Sequence, residues 1–370
     1  MLRTTIRLTR VFLVLVSLTG CGSDPAAPGT DPFPDSGQVI KVLVLNSTGQ
    51  TLAGFAVGES ISADGAAIDL GAGFDGVTVD ASRTRAVSTV SSFGGSRLLF
   101  ADLASGAVQA TAFPAPEGID ANPSRPTFDS TGTTVFVAGR GSNAIYAASP
   151  GDAEASRIAT AVGAFVERVI PIDDALFALD ANLDDDGGTF APLGPGRIFV
   201  IEAGAIAGTI DLPAAAQNPI DMVRIGSRLV VLLGGTFDPI TFSPNGDGGI
   251  VTVDVQTRAA SGFVALGGNG VAIEAGADGL AYVTSTTDFI SLDAQVVDPA
   301  LPAGGLRELS VRDQFGARVD CWALTGLADG RRLCVTFRFA SPGRLLLLAN
   351  EGDAIAELPS GFGSTDVQLQ

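Results

Sequence analysis

The chain is a succession of short apolar runs rich in Val, Ile, Leu, Phe and Thr, cut at intervals by Gly, Pro, Asp and Asn. No stretch carries the spacing of a long amphipathic helix. Short runs of this composition between turn formers predict β-strands. Aligned on their turns, the runs repeat as a hairpin: "VLVLNSTGQTLAGF", "RLLFADLASGAVQATAF", "AIYAASPGDAEASRIA", "RIFVIEAGAIAGTIDL", "IVTVDVQTRAASGFVAL", "FISLDAQVV" and "RLLLLANEGDAIAEL". The turns begin near Asn46, Asp102, Ser149, Glu202, Asp254, Asp293 and Asn350, about 51 residues apart on average. A second hairpin precedes most of them, as in "PTFDSTGTTVFVAG", "AIEAGADGLAYVTS" and "ALTGLADGRRLCVTF".

Two hairpins per repeat give four antiparallel strands per unit, the period and strand count of a β-propeller blade. Seven turns predict an all-β, seven-bladed propeller. The first blade lacks its early strands, and the chain ends on the strand-like "DVQLQ". A mixed closing blade is therefore expected, with Asp366–Gln370 pairing near Val39–Leu45, because closure hides edge strands. Solenoid and β-sandwich arrangements use the same cues and compete with this reading. The pieces "ADGLAYVTS", "FISLD", "FADLASGAV" and "STGTTVFVAG" are similar to the repeat of the YVTN/lactonase-like seven-bladed propellers. That resemblance spans about Val39–Gln370 and implies architecture more than function.

One motif occurs twice. "TFAPLGPG" (Thr189–Gly196) and "TFSPNGDG" (Thr241–Gly248) share Thr-Phe-x-Pro-x-Gly-x-Gly, 52 residues apart. The offset maps Phe177 to Leu229, Asp186 to Asp238, Ile198 to Ile250 and Glu202 to Asp254, placing both motifs between the second and third strands of adjacent blades. The two loops should stand side by side on the face that also carries the blade-to-blade connections. Gly permits the turn back into the strand, Pro stiffens it, and Phe190 or Phe242 is expected to pack over its blade. A phosphate cradle would need a following helix, a third glycine and a Lys. The shared frame therefore reads as scaffold. Only the first loop carries "DANLDDDGG" (Asp180–Gly188). Its Asn182, Asp184, Asp186 and Gly187 fit a calcium-loop pattern, with Asp180 as a further oxygen ligand, but Phe190 and Leu193 stand where two usual ligands would be. Calcium is the one cofactor the sequence suggests; a solvated acidic turn is the competing reading.

The N-terminus bears on location. Arg3, Arg7 and Arg10 precede the apolar "VFLVLVSL", which is too short to span a bilayer, and "LTGC" ends at Cys21. "LTGC" resembles a bacterial lipobox. The resemblance implies a signal peptide over residues 1–20, cleavage before Cys21, a diacylglyceryl thioether on its sulfur and an acylated (palmitate-type) amino terminus. Several acyl chains hold a protein to a membrane far better than one. Gly22 in place of the Asp of inner-membrane retention implies the outer membrane of the cell envelope. Residues 21–37, rich in Pro, Gly, Asp and Ser, read as a flexible tether, and 38–370 as the propeller domain.

Composition removes several chemistries. The formal charge is −18, moving to about −21 once the three signal-peptide arginines are gone, so nucleic acid and anionic headgroups are poor partners. There is no histidine, which removes Ser-His-Asp and Cys-His catalysis. Asp173, Asp174, Glu274 and Asp278 supply carboxylates, but spacing nominates no catalytic pair. Cys321 and Cys334 flank one hairpin. A turn at Asp329–Gly330 sets Cys334 opposite Thr325, too far from Cys321 for a disulfide unless the loop is irregular, while an oxidising compartment favours the bond. Arg168 and Arg224 fall at inner-strand positions of adjacent blades, where they could clamp an anion in the channel or pair with Asp173 or Asp221. Trp322, the one Trp, lines the channel or belongs to the core. The reading is a lipid-anchored monomer that binds a small-molecule ligand or an envelope protein as a binding or scaffold module. A lactonase-like hydrolase using carboxylates and an oxygen-liganded metal, and an envelope-assembly component, are the alternatives.

Overall fold

The computed structural model describes residues 39–71, 75–80, 82–90, 95–114, 121–160, 162–163, 165–184, 191–301, 305–338 and 341–369, with only the backbone of Asp75. Cys21 and Asp186 lie outside these residues. Among the described residues there is no helix; the strands form seven antiparallel sheets of four strands, two of them with one short extra strand.

Blade one pairs Ser364–Leu369 with Ile40–Asn46, Thr51–Val57 and Ile61–Ala63, so the two ends of the chain share a sheet. The closing register runs Val42 to Leu369, Val44 to Val367 and Leu45 to Asp366, as the terminal apolar runs predict. The inner strands of blades two to seven are Asp75–Val79, Thr127–Phe128, Val166–Ile172, Pro219–Ile225, Asn269–Ala275 and Ala323–Gly326. Each is followed outward by three strands of its own blade.

The near-continuous apolar runs follow from this packing. In "RIFVIE" of blade four, Ile198 and Val200 join a core shared with Met222 and Val231 of blade five. Phe199 and Ile201 point the other way, into a core shared with Ala138 and Ile145 of blade three. A strand's side chains alternate between its two faces, and both faces are buried, so both must be apolar. Every interblade junction has such a cluster.

Five inner strands carry a bulge against the second strand of their blade, with one extra residue at Gly76, Glu167, Ile220, Val271 and Thr365. Bulges bend a strand and re-aim the side chain that follows. In blades four, five and one that following residue is Arg168, Asp221 and Asp366.

Two sequence expectations shift by one residue. Ala175 pairs with Glu202 and Arg228 with Asp254, so the offset between blades four and five is 53 in the second strand and 52 in the third. Phe177 thus corresponds to Val230, not Leu229; the first loop holds one more residue, which compensates. Cys334 opposes Leu324 rather than Thr325. Trp322 donates its N–H to the Val335 carbonyl at 2.7 Å and Cys321 lies outside the strand, where the chain bends. The Cys321 and Cys334 Cα atoms are 5.5 Å apart and their sulfurs are bonded.

Candidate functional site

The axis of the ring holds charge rather than an open channel. Arg125, Arg168, Asp221, Glu274 and Asp366, from blades three, four, five, six and one, meet there with almost no exposure. The Arg125 guanidinium lies 3.3 Å from Asp221, 3.1 Å from Asp366 and 3.6 Å from Glu274. Arg168 lies 3.4 Å from Asp221 and donates to the Arg125 and Pro126 carbonyls. The Val77 N–H of blade two donates to Asp366 at 2.8 Å. A Cβ on Gly76 would press on Arg125 and Asp366, so a glycine is needed there. Burial pushes the Glu274 carboxyl well above the ordinary carboxylate range; Arg125 opposes this, and Asp366 and Asp221 add to it. A neutral Glu274 leaves two guanidinium groups facing two aspartates. The charges of the cluster pair with one another at the axis.

Each face of the disc has a pocket at its mouth. The strands are antiparallel, so the turns between first and second strands lie on one face and the loops between second and third strands on the other. A cavity of about 600 Å³ on the first face is lined by Asp129, Asp173, Asp174, Ser130, Thr131 and Arg224, among others. A cavity of about 580 Å³ on the second face is lined by Phe237, Phe289, Ile290, Trp322, Phe337 and Arg338, among others. Arg168, Arg224 and Trp322 therefore do not share a site: the first is sealed at the axis, and the other two stand at opposite mouths. For Arg168 the outcome is the pairing with Asp221, because desolvation at the axis requires a counter-charge.

The second mouth is built by loops of blades five, six, seven and one. Two aromatic pairs flank it. Phe237 and Phe289, from the loops of blades five and six, stack with centroids 5.7 Å apart. Trp322 and Phe337 of blade seven lie 4.9 Å apart. The blade five and blade six loops are held by the same device. Asp238 accepts the N–H groups of Ile240 and Thr241, and Asp288 accepts those of Ile290 and Ser291, at 2.7–2.9 Å. These amides hold both carboxyls below their ordinary range, that of Thr241 most for Asp238 and that of Ser291 most for Asp288. Two residues after each aspartate an isoleucine projects outward, Ile240 at 85% and Ile290 at 81% exposure. Phe242 and Phe289 are about half exposed and adopt φ of 57° and 62°. That region is unfavourable for a bulky side chain. Leu193, from the loop of blade four, is a further exposed apolar residue on this face.

The twin glycine motif is scaffold. Pro192 bridges to Leu183 and Pro244 to Phe237, and the return limbs into Arg197 and Gly249 have the same length. A Cβ on Gly196 would collide with Pro219, and one on Gly248 with Asn269 and Gly270. In both cases the second glycine lets the limb cross the first residues of the next inner strand. Phe242 does not pack over its blade, because Asp238 caps a tight turn that turns the ring outward; Phe190 lies outside the described residues.

Two of the calcium candidates, Asp180 and Asn182, face Arg197, and Asp186 lies outside the described residues. Asp180 is fully buried and accepts Arg197 Nε at 2.9 Å and the Phe165 N–H at 2.8 Å. Asn182 Oδ1 faces the same guanidinium at 3.3 Å. Among the described residues no group of three or more acidic or cysteine side chains is arranged to hold a metal.

The sequence reading missed most of the aromatic mouth. One signal was present: Thr236-x-Asp238-x-Ile240-Thr241 and Thr286-x-Asp288-x-Ile290-Ser291 form a second repeated motif, 50 residues apart. It marks the two loops that project apolar side chains.

No protein-family model matches the chain, and no curated protein sequence matches it. Solved structures do. A 6-phosphogluconolactonase-like protein of Bacteroides fragilis superposes with a TM-score of 0.60 at 11% identity, covering 93% of this chain and 99% of that one. A protein from Lactobacillus plantarum gives 0.61 at 14% identity, with 90% and 100% covered. The hydrazine synthase of Kuenenia stuttgartiensis gives 0.57 at 12%, with 78% and 87% covered. At such identities the likeness is one of fold, and the chain is a seven-bladed β-propeller.

Proposed function

We propose that this protein is an extracytoplasmic binding module, held to the envelope through lipidated Cys21, that takes its ligand at the mouth formed by the loops of blades five, six, seven and one. One observation carries the reading: the exposed Phe242, Phe289, Ile240 and Ile290 gather on that face, two of them in a backbone conformation that fold stability disfavours. Strain retained at exposed apolar residues points to a role outside the fold. A small-molecule pocket of ordinary size lies on the same face, lined by Phe289 and Ile290 of these four. The hydrolase alternative draws less support, since the central carboxylates are committed to Arg125 and Arg168.

Trp322 is the only tryptophan and lines this mouth, so its emission reports occupancy. Small-molecule extract of the protein's own envelope should change Trp322 emission saturably, and Phe289→Asn should abolish the change while the ring stays folded. Emission that ignores the extract, or a response that survives Phe289→Asn, counts against this mouth. In parallel, Cys21→Ser should move the protein from the membrane fraction to the soluble one.

A further inference from the structure

We infer that the ligand of this mouth is an anion carried on a flat apolar body, such as an aromatic carboxylate, sulfonate or phosphate of small-molecule size. The inference rests on the binding-face reading above and narrows it.

Charge is the first ground. In a chain of formal charge −18, the lining of this pocket contains Arg318, Arg338 and Arg344 against a single acid, Asp320. The opposite mouth has the reverse balance, with Asp129, Asp173 and Asp174 against Arg224. Two of the three arginines are engaged: Arg318 with Asp293 and Asp320, and Arg344 with Glu357 and Asp313. Arg338 is exposed and makes no ion pair among the described residues. A guanidinium beside low-dielectric walls and without a carboxylate partner suits an anionic group, to which it can donate two parallel hydrogen bonds.

Shape is the second ground. The two aromatic pairs, Phe237–Phe289 of blades five and six and Trp322–Phe337 of blade seven, wall the same cavity. Aromatic faces reward a flat apolar body. A volume of about 580 Å³ admits a small molecule and not a folded partner. The buried Trp322 indole N–H has no acceptor among the described residues.

The test uses two dyes with the same apolar body, 8-anilinonaphthalene-1-sulfonate and its uncharged counterpart N-phenyl-1-naphthylamine, titrated into the full chain while Trp322 emission is followed. The sulfonate should bind about tenfold tighter, the size of one charge-assisted contact. Added salt should narrow that gap. Arg338→Gln should remove the gap and leave the neutral dye's affinity unchanged, whereas Arg338→Lys should keep part of it. Phe289→Asn should weaken both dyes. If the dyes bind equally, or Arg338→Gln leaves their ratio intact, the anion inference is overturned and the binding face survives. If neither dye affects Trp322, both fall.

Discussion

The residues at the axis show how a propeller can close its channel with charge. Arg125 touches three carboxyl groups from three other blades, and each of those groups would be costly alone in that setting. Arg125→Met should therefore destabilise the ring by about 3–5 kcal/mol, the usual loss when one partner of a buried ion pair is removed. Glu274→Gln should act in the opposite direction. The folded-state pKa of Glu274 is raised, so its contribution is fully present below the unfolded carboxylate pKa of about 4.3 and is lost as pH rises toward the folded value. The Gln variant has no proton to lose. Its melting temperature should match the parent near pH 4 and exceed it increasingly toward neutral pH; a constant difference across that range would contradict a neutral Glu274. The pairing of Arg168 with Asp221 was legible in the sequence as one of two outcomes. Arg125, Glu274 and Asp366 were not, because they come from blades three, six and one, and Arg125 precedes its inner strand.

At the scale of the element, hairpins and turns were readable because each blade is buried on both faces and must spell its strands in apolar residues. Register was less so. A 52-residue offset in the third strand and 53 in the second cannot be separated by eye when Leu, Val and Ile fill every position. The same one-residue ambiguity set Cys334 against Thr325 and made the disulfide look out of reach. In the fold, the Cys321–Cys334 bond ties the connection between blades six and seven to the second strand of blade seven, inside the core those blades share. It closes a 13-residue separation, so its loss should cost about 3 kcal/mol. Cys321→Ser with Cys334→Ser should lower the denaturation midpoint accordingly, and a reductant should do the same to the parent and nothing to the variant. Equal midpoints for parent and variant without reductant would show that the bond does not form. The twin glycine motif marks a shape shared by the loops of blades four and five, of which only the second reaches the aromatic mouth. The side chains that project from the loops of blades five and six are marked instead by the Asp238 and Asp288 turns.

The whole molecule is a disc with two unlike mouths and a sealed axis. One mouth is acidic, the other aromatic and rich in arginine. Strand direction fixes which end of the chain belongs where: Ile40–Asn46 runs toward the aromatic face, so the chain enters the ring from the acidic one. The seven-blade period made this architecture legible. The mouth was not legible, because residues far apart in sequence, from four blades, meet in it and no local pattern joins them. Native mass spectrometry of protein purified gently from the cells that make it tests the account most directly, comparing the parent with Phe289→Asn and Asp174→Asn. A small-molecule adduct present on the parent and on Asp174→Asn, and absent from Phe289→Asn, is the predicted result. An adduct lost from Asp174→Asn and retained by Phe289→Asn would place the ligand at the opposite mouth and contradict the account.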